Sequence, residues 1–106
     1  MDDLIVVMCT FPSEDVVRQI GTKLIKKQLI ACINCVPSVI SLYQWEGAIC
    51  EEKECLALLK TTRKNYTALE QMIRKLHPYE VPEIIAMETD QVEKHYLAWV
   101  KGNTLD

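Results

Sequence analysis

The alternation of apolar and polar positions predicts two consecutive β-strands in the middle of the chain. The stretch Ala31–Gly47 is rich in β-branched and aromatic residues, which favour strands. The pair Gly47-Ala48 is typical of a turn, and a second strand-like run extends from Ile49 to Leu59. The simplest interpretation is one long β-hairpin.

The length of this hairpin predicts that it bends or overhangs the rest of the protein. A strand over residues 30–46 has 17 residues, which corresponds to about 56 Å at 3.3 Å per residue. A compact chain of this size has a diameter of only about 33 Å. Pro37 predicts a break in the strand, because proline cannot donate to a β-ladder.

The same strand has one aliphatic face and one aromatic face. Ile40 and Leu42 alternate with Tyr43 and Trp45, so the two pairs point to opposite sides of the sheet. An overhanging apolar hairpin invites aggregation unless something covers it. We therefore expect a second copy of the chain to cover it, with Tyr43 and Trp45 in the interface. The alternative is two shorter strands that fold back at Pro37 within a monomer.

The periodicity on either side of the hairpin predicts five further elements. They are a strand at Leu4–Met8, a helix over 14–28 capped by Ser13, a helix at Tyr66–Leu76, a strand at Ile84–Met87 and a last helix from the cap Asp90 to Gly102. The order is βαββαβ with an extra C-terminal helix. This order predicts an α+β, ferredoxin-like sandwich that forms a single domain over residues 1–106.

Composition and charge narrow the functional classes. The 106 residues carry a net charge of −3, which does not favour a nucleic-acid partner. The acidic N-terminus precedes an apolar run of only six residues, Leu4–Cys9, so we expect no signal peptide, no membrane span and a cytoplasmic protein. The five cysteines are an odd number, which does not favour a disulfide framework, and we expect Cys32, Cys35, Cys50 and Cys55 to be small buried or half-buried residues.

The candidate chemistry is concentrated in the segment His77–Glu83, which carries an imidazole, a phenol, two carboxylates and two prolines. With the thiol of Cys9, at the end of the first strand, His77 and Glu83 would suit Cu²⁺ or Zn²⁺. An alternative is that His77 follows a helix because the negative helix end favours it, and that Glu83 pairs with a lysine. No phosphate loop or nucleophile elbow is present, so we expect neither an enzyme nor an organic cofactor.

Several motifs resemble one known family, the CutA divalent-cation tolerance proteins. The resemblance spans nearly the whole chain. The matching segments are Cys9-Thr10, the stretch Ala31–Gly47, Lys60-Thr61-Thr62, the motif H-P-Y-x-x-P-E at His77–Glu83, and Tyr96, Leu97 and Trp99.

The resemblance implies a homotrimer that binds a divalent cation and contributes to metal-ion tolerance. It implies copper ligands at Cys9, His77 and Glu83. Some members of the family have a second histidine before the H-P-Y motif; this chain has Leu76 there, which implies weaker binding. Two alternatives remain: a PII-like sensor that binds a small anion or nucleotide in clefts between subunits, and a purely structural trimer.

Overall fold

The computed structural model describes residues 3–106 as a four-stranded sheet with three α-helices. Met1 and Asp2, part of the acidic N-terminus, lie outside the described residues. In chain order the elements are β1 (Leu4–Phe11), α1 (Glu14–Lys26), β2 (Cys32–Trp45), β3 (Ala48–Thr62), a 3-10 turn (Arg63–Asn65), α2 (Tyr66–Leu76), β4 (Ile84–Glu88) and α3 (Lys94–Gly102).

The strand order is β2-β3-β1-β4, and each neighbouring pair is antiparallel. This is the ferredoxin-like arrangement, so the predicted fold class is confirmed. β1 and β4 are hydrogen-bonded neighbours, a pairing that the order of elements alone did not guarantee. The end of β1 therefore lies close to the start of β4.

The first helix shows why local sequence predicts an element well. The Ser13 side chain accepts a hydrogen bond from the Val16 N–H at 3.2 Å, which confirms the predicted cap. The helix ends at Lys26, two residues earlier than predicted, and Gln28 has a left-handed φ of 58° that stops a helix. A Cβ at Gly21 would lie 3.0 Å from Ile33 Cγ2, so glycine allows α1 to pack closely on β2.

The hairpin is long and bent, as the sequence predicted. β2 has 14 residues, about 46 Å at 3.3 Å per residue, and the longest dimension of the molecule is 45 Å. A β-bulge lies between Val36 and Val39 and contains Pro37, which confirms the predicted break. The turn is formed by Glu46 and Gly47, both with positive φ, rather than by Gly47-Ala48. Two positive φ values suit the tight turn that matches strand twist.

The start of α3 differs from the prediction. Glu93, not Asp90, is the cap, and its carboxylate accepts hydrogen bonds from the N–H groups of His95 and Tyr96. The helix begins at Lys94, so a side chain at position 90 is too far back to reach its first turn. Within residues 3–106, no helix combines the length and the apolar character needed to cross a membrane.

The main core lies between the sheet and the helices α1 and α2. Its fully buried side chains include Val7 and Phe11 of β1, Leu24 of α1, Leu59 of β3 and Leu69 of α2. Cys9 and Cys55 are buried in this core, and Cys35 packs against it. Cys32 and Cys50 are also half-buried and all five thiols are free, which confirms the prediction made for Cys32, Cys35, Cys50 and Cys55. The core thus fixes the orientation of β1, from whose end the candidate site extends.

Candidate functional site

Strand pairing brings the predicted site residues to one end of the sheet. Cys9 of β1 lies opposite Ile84, the first residue of β4, and Glu83 directly precedes that strand. Cys9 is fully buried, whereas Glu83 is exposed. His77 reaches the same end of the sheet from α2, because α2 ends at Leu76 and the chain then turns towards β1.

The His77 ring is a packed and fully hydrogen-bonded group. It stacks on Phe11 with ring centroids 4.8 Å apart and is only 7% exposed. Nδ1 lies 3.1 Å from the Tyr79 backbone N–H, so Nδ1 is an acceptor. Nε2 therefore carries the proton and donates a hydrogen bond to the Thr10 carbonyl oxygen, 2.7 Å away. Burial lowers the pKa of His77, so the neutral ring is favoured.

The Cys9 thiol is held in its protonated form. Burial, with the nearby carboxyl groups of Glu83 and Glu54, raises the pKa of Cys9 to about 12. Its Sγ points at the Thr10 carbonyl oxygen, 3.7 Å away. The same carbonyl oxygen thus faces both the Cys9 thiol and the His77 imidazole. This shared acceptor keeps the two side chains near each other.

The three predicted ligands lie at the same end of the sheet, but they do not form a prepared metal site. Both ring nitrogens of His77 are already engaged, and the thiol of Cys9 retains its proton. Among residues 3–106, no group of three or more His, Cys, Asp or Glu side chains has the geometry to hold a metal ion. The arrangement does not fit a preformed metal centre, and metal ligation would require His77 to release either the Thr10 carbonyl oxygen or the Tyr79 N–H.

Two further residues lie at this end of the sheet. Glu54 was not identified from the sequence, and Tyr79 was noted only as the phenol of the segment His77–Glu83. Glu54 is only 7% exposed and accepts a short hydrogen bond from the Tyr79 hydroxyl. The Tyr79 ring in turn lies 4.6 Å from the His77 ring, tilted by 55°. Tyr79 lies within the H-P-Y motif, but Glu54 is one of several glutamates on β3, and nothing local distinguishes it from Glu51 or Glu52.

The aromatic face of the hairpin borders this cluster. The Tyr43 hydroxyl donates to Glu52 at 2.6 Å. Tyr43 and Trp45 are 38% and 44% exposed, and both line an open groove of about 290 Å³. The remaining residues of the groove are Cys50, Glu52, Tyr79, Glu80 and Val81. The groove therefore lies between the hairpin and the segment that follows His77.

The opposite face of the hairpin exposes aliphatic side chains. Ile40, Leu42 and Ile49 are 63%, 66% and 83% exposed. The sequence placed Ile40 and Leu42 on this face but assigned the interface to the aromatic one. Large aliphatic side chains that are exposed together on one face of a hairpin are typical of a contact with another protein chain.

A separate basic cleft of about 210 Å³ bears on the anion-sensor alternative. Arg63, Lys64 and Lys101 line it, together with Asp3 and Thr62. Each of the three cations forms an ion pair: Arg63 with Glu88, Lys64 with Asp106 and Lys101 with Asp3. An anion would have to compete with these carboxylates.

Comparisons with known proteins agree on one family. The family described as CutA1 divalent ion tolerance protein matches residues 5–103. The "Divalent-cation tolerance protein CutA" of Thermus thermophilus is 42% identical over 99 residues, 93% of this chain and 96% of that protein. The human "Protein CutA" is 40% identical over 95 residues, 90% of this chain and 53% of that protein. This chain thus spans about half the length of the human relative.

Solved structures give the same result for the fold. The Cut A1 structure from Thermus thermophilus has a TM-score of 0.91 at 42% identity and covers 95% of this chain and 98% of that chain. The CutA1 structure from Oryza sativa has a TM-score of 0.94 at 34% identity and covers 97% and 94%. These relatives carry names that refer to cation tolerance or to the family, and not to a catalysed reaction.

Proposed function

Because this chain belongs to the CutA1 divalent ion tolerance family, we propose that it acts as a homotrimeric, non-catalytic protein that binds divalent cations weakly and contributes to metal-ion tolerance. The proposal has two parts, self-association through the hairpin and cation binding at the end of β1. Each part rests on a different region of the chain and is tested separately.

Cation binding rests on the convergence of Cys9 and His77 with two carboxyl groups, Glu54 and Glu83, at the end of β1. A thiol and an imidazole near carboxylates provide the donor types that Cu²⁺ and Zn²⁺ prefer. The cost of freeing the ligands determines the strength of binding. A thiol with a pKa of about 12 and an imidazole bonded to a carbonyl both compete with the ion, so binding is weak and strengthens as the pH rises.

Calorimetric titration with Cu²⁺ and Zn²⁺, compared with a nucleotide series, tests this part. We expect millimolar to micromolar affinity for at least one of the ions, and loss of that affinity in Cys9→Ser and His77→Gln. Cys50→Ser removes a half-buried thiol of the hairpin and serves as the control. Binding that persists in both site variants but disappears in Cys50→Ser contradicts the assignment. A response to nucleotides alone favours the PII-like alternative, and no response to either favours a structural trimer.

Self-association rests on the overhanging hairpin, which exposes Ile40, Leu42 and Ile49 on one face and parts of Tyr43 and Trp45 on the other. Covering these side chains is favourable by roughly 25 cal/mol for each Å² removed from water. Sedimentation equilibrium should show three times the chain mass of 12.2 kDa. A stable 12.2 kDa species at micromolar concentration contradicts this part.

A further inference from the structure

A second groove lies on the helices, between the end of α1, one face of α2 and the last residues of the chain. We call it the α2 groove. Its volume of about 470 Å³ is within the usual range for small-molecule sites, which is about 300 to 1,000 Å³. Four of the positions that line it, Ala68, Gln71, Met72 and Lys75, share one face of α2 because they follow the i, i+3, i+4, i+7 spacing. They extend over about 10 Å at 1.5 Å per residue.

The α2 groove is remote from the hairpin turn. β3 runs from the turn to Thr62, and the Thr61 hydroxyl donates to the Leu29 carbonyl oxygen at 2.7 Å. Leu29 lines the groove, whereas Ile49 and Thr61 are about 40 Å apart along β3 at 3.3 Å per residue. None of the described residues that line the groove belongs to the hairpin. The hairpin faces that we propose for self-association therefore leave it open.

The end of the chain completes the apolar part of the lining. The Leu105 N–H donates to the Gln28 carbonyl oxygen at 2.9 Å, and the Leu105 carbonyl oxygen accepts from the Asn65 side-chain amide, also at 2.9 Å. The backbone of Leu105 is thus held in place while its side chain is 45% exposed in the groove. Leu29 and Met72 add further apolar surface, and an unbranched methionine adapts readily to a ligand.

The polar part of the lining is positive and unpaired. Lys27 and Lys75 line the groove, and no aspartate or glutamate is among the described residues that do so. In the part of the chain that the structure describes, neither lysine forms an ion pair. In the basic cleft, by contrast, each cation is paired with a carboxylate. The α2 groove is therefore a place of unpaired positive charge on a chain whose net charge is −3.

We propose that the α2 groove binds an aliphatic carboxylate, a hydrocarbon chain that ends in one carboxylate group. Leu29, Met72 and Leu105 would remove the hydrocarbon from water, which is favourable in proportion to the apolar area covered. The methylene stems of Lys27 and Lys75 extend this apolar surface, while their ammonium groups stay in water and can donate to the carboxylate. The length of the α2 stripe is similar to that of an extended octanoate ion.

The combination of apolar and positive lining separates this ligand class from the other candidates. An aliphatic ammonium ion would be repelled by Lys27 and Lys75. A small inorganic anion would leave Leu29, Met72 and Leu105 uncovered. An uncharged hydrocarbon would gain nothing from the two ammonium groups.

NMR titration of the 106-residue protein, labelled at its methionine methyl groups, with sodium octanoate tests the proposal. The methionines provide built-in probes, because Met72 lines the groove whereas Met8 and Met87 lie on β1 and β4. We expect the Met72 signal to shift and to saturate at millimolar octanoate, while the signals of Met8 and Met87 stay unchanged. Acetate has the head group without the chain, and n-octylammonium has the chain with the opposite charge. Each should bind at least about fivefold more weakly than octanoate.

Two neighbouring lysines provide a matched comparison. Lys27→Gln removes an ammonium group from the groove and should weaken octanoate binding by about two- to fivefold, and Lys75→Gln should do the same. Lys26→Gln removes the same charge from an adjacent exposed position that does not line the groove, and should leave binding unchanged. Equal weakening by Lys26→Gln and Lys27→Gln, equal binding of n-octylammonium, or no saturable shift at Met72 overturns the proposal. The groove shares no residue with the cluster at the end of β1, so failure here leaves the proposed cation binding unaffected.

Discussion

The aliphatic face of the hairpin allows a sharp test of assembly. We expect the double variant Leu42→Ser, Ile49→Ser to convert the proposed trimer into a folded monomer. The two side chains are 66% and 83% exposed in the single chain, so neither contributes much to the stability of the isolated fold. Full burial of such a side chain is worth about 1.5–3 kcal/mol, so an assembly that covers both gains about 2–4.5 kcal/mol per chain.

This magnitude predicts a clear experimental result. Three chains lose at least about 6 kcal/mol together, which lowers the association constant by more than about four powers of ten. Sedimentation at micromolar concentration should show one chain mass, while the circular dichroism spectrum stays unchanged. Ile25→Ser, at a 42% exposed position on α1, is the matched control and should leave the mass unchanged. If the double variant keeps the mass of the unmodified protein, the assembly does not use this face.

Three further predictions concern the aromatic face and the loop that follows α2. Trp45→Ala should lower the melting temperature of the assembly, because truncating a tryptophan that an interface buries costs about 3–5 kcal/mol; an unchanged melting temperature and mass contradict it. Tyr79→Phe leaves the buried carboxyl group of Glu54 without its donor and should lower the free energy of unfolding by about 1–3 kcal/mol in urea titration. The pH dependence of stability should show a contribution from His77: its pKa is lowered in the folded chain, so the unfolded chain takes up the proton first. Stability should be complete above pH 6.5 and fall as the pH drops below that value, by at most about 1.4 kcal/mol per unit. His77→Gln should remove this contribution and His95→Gln should retain it; equal slopes in both variants contradict the assignment.

Local signals in the sequence were sufficient for most of the fold. Alternation located the hairpin, Ser13 marked the start of α1, and Pro37 marked the bulge, because each of these depends on residues within a few positions. The two errors, at the start of α3 and at the hairpin turn, also arose from local sequence signals. Asp90 and Glu93 both precede the last helix and both can cap, and only the position where α3 begins selects Glu93. The turn residue Glu46 adopts a positive φ although it is not a glycine, so its residue type did not indicate this conformation.

The site was harder to predict because its geometry depends on contacts between distant segments. The sequence identified Cys9 and His77, but not that the His77 ring would use both nitrogens in hydrogen bonds. Glu54 is buried and accepts a hydrogen bond from Tyr79, which lies 25 positions away along the chain in the segment after α2. Strand pairing, and not spacing, makes Glu83 a neighbour of the Cys9 end of β1.

The hydrogen bonds of His77 connect the proposed cation binding to the loop that carries Tyr79. One ring nitrogen holds the Thr10 carbonyl oxygen of β1, and the other holds the backbone N–H of Tyr79. An ion that takes either nitrogen must break one of these bonds, which loosens the contact between the loop and the strand. Tyr79 also lines the groove beside the hairpin. Cation binding at the end of β1 would therefore alter the groove, because the His77 side chain bonds both β1 and the loop that carries Tyr79.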